Sequence, residues 1–172
     1  MAQNDVILGI DPGLTGAVAI LNAQGVSMMD ALRTPTLKAT KRGQKTEYDL
    51  PGMRNILLHH DPLLVGIEKV HSMPHDGHSS AFRFGQGYGL WLGLLAGLGI
   101  PFVELPPQRW QSRMLAGHPR GAQTKISAVK VSQGLWPDIP IHYKADWGMA
   151  DAALIGEYAR RYHLEPHTSG GT

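Results

Sequence analysis

The chain has no cysteine among its 172 residues. That excludes a disulfide framework, a cysteine nucleophile and Cys-ligated zinc or iron–sulfur centres, and it suits a reducing compartment. Charge of one sign is also lacking: 16 Lys+Arg against 14 Asp+Glu leave a formal +2. Taken alone, this argues mildly against a strongly basic DNA-coating protein. Charged residues make up 17% and hydrophobic residues 42%, too apolar a balance for bulk disorder. The N-terminal Met1–Asp5 lacks a basic n-region, so a secretory leader is not expected. One long uncharged stretch exists, Gly85–Val103. Its six glycines, with Gln86 and Pro101, make it a poor membrane span, and a buried helix running into a strand is the reading. The expected location is the cytoplasm of a bacterial or phage-infected cell.

What is present reads as one domain over residues 1–166, followed by a flexible polar tail at 167–172. Asp5–Ile10 and Gly16–Leu21 are apolar runs separated by Asp11-Pro12-Gly13, a hairpin pattern, and Gly25–Leu32 reads as a third strand. Arg33–Lys45 reads as a loop, broken by Pro35 and Gly43. Leu50–His60 is an amphipathic helix, Leu63–Val70 a buried strand and His71–Ser80 a polar loop. Ala81–Leu98 is a long helix, Ile100–Leu105 a strand and Pro107–Leu115 a short helix. Thr124–Leu135 is a helix with Thr124 as candidate N-cap, and Ala150–Tyr162 closes the chain as a helix. The fold class is therefore α/β: a mixed sheet flanked by helices.

The chemistry rests on carboxylates. Asp11 and Glu68 each end an apolar strand, where burying a charge is expensive unless a cation compensates it. Adjacent strands would bring both acids to one sheet edge, and a divalent metal takes such oxygen ligands readily. Asp146 and Asp151 follow near the C-terminus, Asp151 at the opening of the last helix, where a carboxylate also suits the helix dipole. Any one of these acids has an ordinary reading as turn residue or cap. The set of four is harder to explain so.

At these positions the sequence resembles a known family. ILGIDPGLTGAVAIL (7–21) is similar to the first strand pair of the RuvC-like Holliday junction resolvases of the RNase H-like superfamily, and VGIEKV to their second acidic motif. GQGYGLWLGLLAGLGIPFVELPPQRW (85–110) looks like the central helix and following strand of phage-type and plant chloroplast members. KADWGMADAALI resembles the closing motif, a Lys ahead of an acid-x4-acid pair. The bacterial enzymes bring those two acids closer together. The resemblance implies an RNase H-like fold with a five-stranded sheet, three strands antiparallel and then two parallel. It implies Asp11, Glu68, Asp146 and Asp151 as catalytic carboxylates holding two Mg²⁺ ions, with Mn²⁺ as substitute. The implied reaction is resolution of four-way DNA junctions by paired symmetric nicks with 5′-phosphate and 3′-hydroxyl ends, in DNA recombination and repair. It also implies a homodimer, with neither a membrane nor a small-molecule cofactor. The rival readings are an RNase H-like nuclease for other branched DNA or RNA–DNA hybrids, and a junction-binding protein without catalysis.

Basic residues cluster. Arg33, Lys38, Lys41, Arg42 and Lys45 occupy one stretch without an acid. Arg109, Arg113, Arg120, Lys125, Lys130 and Lys144 face only Asp138 in another. Such clusters supply salt-dependent phosphate contacts. Lys125, at a helix start, is the leading candidate phosphate contact, and the resemblance implies a catalytic place for it near the scissile phosphate; Lys144 is the second candidate. Phe82 and Phe84 flank Arg83 and either stack on an unpaired base or belong to the core. The bacterial stacking Phe has its counterpart near His71. Gly85, Gly89, Gly93 and Gly97 recur every four residues, which permits close helix approach, either within the chain or across a twofold dimer seam. His71, His75, Asp76 and His78 are a lesser candidate for a separate metal site. Setting the four catalytic acids aside leaves ten acids against 16 basic residues, a DNA-facing balance that the net +2 conceals.

Overall fold

The computed structural model describes residues 5–25, 27–39, 45–70, 78–138, 141–142 and 146–164, with side chains of the 78–98 helix from Phe82 onward. The tail at 167–172, Lys41, Arg42, Lys144, His71, His75 and Asp76 lie outside them.

The main sheet contains β1 (Val6–Asp11), β2 (Ala17–Asn22), β3 (Met28–Arg33), β6 (Leu64–Glu68) and β7 (Phe102–Leu105), in the order β3-β2-β1-β6-β7. β1, β2 and β3 are antiparallel neighbours, and β6 and β7 continue parallel to β1. This is the five-stranded mixed sheet that was expected. A register shift opposite Ile20/Leu21 leaves Met29 as an extra, exposed residue on β3. Such a bulge blunts an edge strand.

The helices are α1 (Leu50–His60), α2 (His78–Leu98), α3 (Pro107–Met114), α4 (Thr124–Leu135) and α5 (Trp147–Tyr162). Local chemistry sets their ends. The Asp49 side chain accepts from the Gly52 N–H at 3.1 Å ahead of α1. The Pro106-Pro107 pair ends β7 and places a proline at the first position of α3, where its missing N–H costs nothing. Thr124 has helical backbone angles and is the first residue of α4; the N-cap position is Gln123, the last residue of a 3-10 turn at Gly121–Gln123. The Thr124 cap is therefore corrected.

Alternation along the strands divides the core. Leu8, Ile10, Val18, Ile20, Val65 and Ile67 point to the side covered by α1 and α2, where Met53, Leu57, Trp91 and Leu95 meet them. Ile7, Ala17, Ala19 and Leu21 point to the other side, against α5 and, behind it, α3 and α4. On α5 every residue from Ala150 to Ala159 is buried. A helix covered on all sides approaches the sheet closely only if its residues are small. A Cβ on Gly9 would lie 2.0 Å from the Ala152 carbonyl and 2.4 Å from the Gly156 nitrogen, and one on Gly66 would lie 2.8 Å from Ala159 Cβ. These glycines let α5 rest directly on β1 and β6.

Two differences from the sequence reading affect the site. The stretch read wholly as loop contains β4 (Thr36–Leu37), which pairs with β5 (Glu47–Tyr48) beyond it; strands of two residues carry no readable periodicity. α5 begins at Trp147, three residues earlier than expected, so Asp151 stands one turn inside the helix rather than at its opening.

Candidate active site

Asp11 is the last residue of β1 and Glu68 the last of β6. The two strands are parallel neighbours, with Ile10 level with Ile67, so both carboxylates reach the same sheet edge. By alternation both lie on the α5 side. Asp151, one turn into α5, completes the group. The carboxylates sense one another. Burial, then the charge of Asp151, raises Asp11 to about 6. Burial, then Asp11, raises Glu68 to about 7. Burial also raises Asp151, against the pull of Lys125.

Lys125, at the start of α4, supplies the counter-charge. Its ammonium bonds Asp151 Oδ2. Burial works against its charge, but Asp151, Asp11 and Glu68 together outweigh burial and hold its pKa above the usual lysine value. Trp110 of α3, fully buried, donates its indole N–H to Glu68 Oε1 at 3.0 Å. Tyr48 on β5 brings its hydroxyl to the Pro12 and Arg83 carbonyls, at 3.4 and 3.3 Å, and thereby joins the ribbon, the β1 turn and the start of α2. Neither Trp110 nor Tyr48 was singled out from sequence. Their contacts span 42 and about 36 positions, and no local pattern marks such partners.

Asp146 is the N-cap residue of α5. Its Oδ1 pairs with Arg33 at 2.6 Å and its Oδ2 accepts from the His142 N–H at 2.8 Å. Position 148, three before Asp151, would share its face. It is glycine, and a Cβ there would lie 2.6 Å from the Thr15 carbonyl.

The donor set suits a hard divalent cation: three carboxylates, raised towards neutrality by burial, with Asp151 Oδ1 buried and without a hydrogen-bond partner among the described residues. As they stand, no three His, Asp or Glu among the described residues converge closely enough to hold an ion. Binding one would require the side chains to close in, with Asp151 Oδ1 open to an ion while Oδ2 is taken by Lys125.

Around this edge, Phe82 and Phe84 are 73% and 42% exposed and so are not core residues. The Phe84 ring lies beside the Gly13 turn. Phe82, Arg83, Lys45, Tyr48 and Leu14 line an open cleft of about 650 Å³. Lys38, Lys45, Arg113 and Lys130 are exposed, and Arg113 opens onto a separate pocket beside the far end of α5. Gly85, Gly89, Gly93 and Gly97 are exposed, and a Cβ on any of them would meet nothing within 4 Å. Gly87, Trp91 and Leu95, two positions over and about 200° around the helix, face inward. Intrachain packing of the glycine stripe is thereby removed among the described residues. No helix among them is long and apolar enough to cross a membrane.

No family model matches the chain. Over 89 residues it is 34% identical to the chloroplastic Holliday junction resolvase MOC1 of Chlamydomonas reinhardtii; the match covers 51% of this chain and 10% of that protein. The chain thus aligns with about a tenth of the length of that relative. Thermus thermophilus RuvC in complex with a Holliday junction substrate superposes with a TM-score of 0.61 at 14% identity, over 91% of this chain and 94% of that one. A second T. thermophilus RuvC structure gives 0.59 at 19% identity, over 91% and 95%. The resemblance drawn from the sequence motifs is borne out, and the chain has the RuvC form of the RNase H-like fold.

Proposed function

We propose that the chain is a metal-dependent, structure-selective endonuclease that resolves four-way DNA junctions by paired symmetric nicks, leaving 5′-phosphate and 3′-hydroxyl ends. The observation that carries this reading is the convergence of Asp11, Glu68 and Asp151 at one sheet edge with Lys125 among them. The names of the Chlamydomonas relative and of the Thermus complex favour a junction over other branched DNA or an RNA–DNA hybrid.

In this reading Asp11, Glu68, Asp146 and Asp151 would hold two Mg²⁺ ions, with Mn²⁺ as substitute. Such ions, when bound, activate water and stabilise the leaving 3′ oxygen of a phosphodiester. The protein supplies the rest. Trp110 fixes one oxygen of Glu68, so that the other faces the edge. Lys125, displaced from Asp151, is free to bond a non-bridging oxygen of the scissile phosphate. Asp146 would be the fourth ligand, and its pairing with Arg33 ties the β3 edge to the start of α5. Phe82 and Arg83 present a ring and a cation to an unpaired base, and Lys38, Lys41, Arg42, Lys45, Lys130 and Lys144 contact backbone phosphates. The exposed glycine face of α2 is the proposed homodimer seam, which would place two such sites symmetrically.

The test is cleavage of a synthetic four-way junction by the purified protein with and without Mg²⁺, beside flap and RNA–DNA hybrid substrates. Symmetric nicking of the junction, dependent on Mg²⁺, is expected. Asp11→Asn should lower the rate by at least three orders of magnitude while junction binding survives. Cutting of hybrids with junctions left intact would replace the resolvase reading.

A further inference from the structure

The far end of α5 carries a second arrangement with the chemistry of a binding site. Arg109 and Arg113 lie four residues apart on α3, so they share one face, beside the Trp110/Met114 stripe that enters the core. With Ser112, Tyr158, Tyr162 and His163 they line an open pocket of about 410 Å³. Tyr158 and Tyr162 stand 7 and 11 positions beyond Asp151 on α5, about 10 and 16 Å along the helix. The pocket is thus distinct from the carboxylate edge, although α3 serves both, with Trp110 at one and the two arginines at the other.

Its charge is uncompensated. No carboxylate lines it, and neither arginine forms an ion pair among the described residues. The nearest acid on α5, Glu157, is fully buried and already taken: Arg160 bonds both its oxygens at 2.8 Å and Arg161 one at 2.6 Å. His163 is held below the usual histidine value, by burial first and then by the positive charge of Arg109. The ring of Tyr158 packs against Tyr162 and His163, with centroids 4.6 and 5.9 Å apart, and gives the pocket a firm wall. Two guanidinium forks on one helix face, with hydroxyl and imidazole groups opposite, match the tetrahedral oxygens of a phosphate better than a planar or singly charged anion.

We propose that this pocket binds a phosphate group, with Arg109 and Arg113 as its paired ligands. The phosphate comes either from the backbone of a DNA arm that passes beyond the cutting site or from a free phosphorylated compound. Only the first source rests on the nuclease reading.

The test compares the full chain with the Arg109→Gln/Arg113→Gln double variant. Both side chains are exposed, so the melting temperature should be unchanged. In one arm, inorganic pyrophosphate is titrated calorimetrically in metal-free buffer. In the other, a plain duplex and a four-way junction are bound over a series of salt concentrations. A backbone phosphate predicts about tenfold weaker binding of both DNAs and a salt slope flatter by about 0.9 per phosphate lost. Loss of pyrophosphate binding with an unchanged DNA slope assigns the pocket to a free phosphate compound. Unchanged behaviour in both arms overturns the site. A wild type that binds duplex but neither prefers nor cuts junctions removes the resolvase reading and leaves the pocket to be judged on the same slopes. Should the double variant melt early, the Arg109→Lys/Arg113→Lys pair decides. It keeps the charge but loses the forks, so pyrophosphate binding should fall while most of the salt slope remains.

Discussion

At the scale of single residues, the balance at the site depends on partners that hold carboxylates still. Glu68 keeps one oxygen on the Trp110 indole, and that bond offsets part of the rise from burial and from Asp11 that leaves its pKa at about 7. Replacing Trp110 by Phe retains most of the buried ring and removes only the donor. Partners of metal ligands commonly cost 10–100-fold in metal affinity when lost. We expect Trp110→Phe to raise the Mg²⁺ concentration for half-maximal cleavage about tenfold. At subsaturating Mg²⁺ the acid limb of the pH profile should move upward, because an unbonded Glu68 holds its proton to higher pH. An unchanged Mg²⁺ dependence would show that Trp110 merely fills space. The acids themselves were legible in the sequence because a strand as apolar as Val6–Asp11 or Leu64–Glu68 tolerates a terminal carboxylate only for a reason. The contact of Asp146 with Arg33 was not legible, because motif spacing does not show which way a side chain turns. Its partner, Arg33, lies 113 positions away.

Among the elements, α2 carries the clearest division of labour. Gly87, Trp91 and Leu95 seat the helix on the sheet, and a Cβ on Gly87 would lie 2.1 Å from the Tyr48 hydroxyl. A Cβ on any of the four glycines of the opposite face would meet nothing within 4 Å among the described residues. Glycine within a helix costs about 1 kcal/mol relative to alanine, so an idle face would gain from substitution. Gly93→Ala should therefore raise the stability of the monomer by about 0.5–1 kcal/mol. Gly93→Arg should leave the monomer folded and shift sedimentation from dimer to monomer. A dimer that survives Gly93→Arg would place the seam elsewhere. The four-residue glycine spacing was visible in the sequence, and so were all five main strands and the bodies of all five helices. The direction of the glycine face was not, because Gly85–Leu98 is apolar on every side and its periodicity does not say which face meets the sheet. β4 and β5 escaped for a different reason: the segment between them is long and basic, and their pairing rests on two residue pairs.

For the whole molecule, the carboxylate edge makes stability depend on pH and on metal together. A carboxyl whose pKa is higher in the folded than in the unfolded state binds its proton more tightly when folded. Its contribution to stability is then fully present below the unfolded pKa and lost as pH rises through the folded one. Asp11, raised from 3.8 to about 6, and Glu68, raised from 4.5 to about 7, both behave so, and Asp151 shifts in the same direction. Lys125, raised above its usual value, stays charged throughout this range and adds no slope. The metal-free protein should thus lose stability between about pH 4 and pH 7, by up to about 6 kcal/mol from Asp11 and Glu68 together. At about 2–4 °C per kcal/mol for a chain of this size, the melting temperature should fall by up to about 10–25 °C. A divalent ion binds the ionised acids and not their protonated forms, so Mg²⁺ should restore most of that loss at pH 8 and little at pH 5. Asp11→Asn separates this account from general salt effects. Without a charge to bury, the variant should melt higher than the wild type at pH 8 in the absence of metal, and its response to Mg²⁺ should largely disappear. Thermal melts of the two proteins at pH 5 and pH 8, with EDTA or with Mg²⁺, check all four expectations. A wild-type melting temperature that is flat or rising from pH 5 to pH 8 in EDTA would mean that the acids are not held protonated by burial. The fold would then have met the cost of gathering three carboxylates in some way other than through the metal.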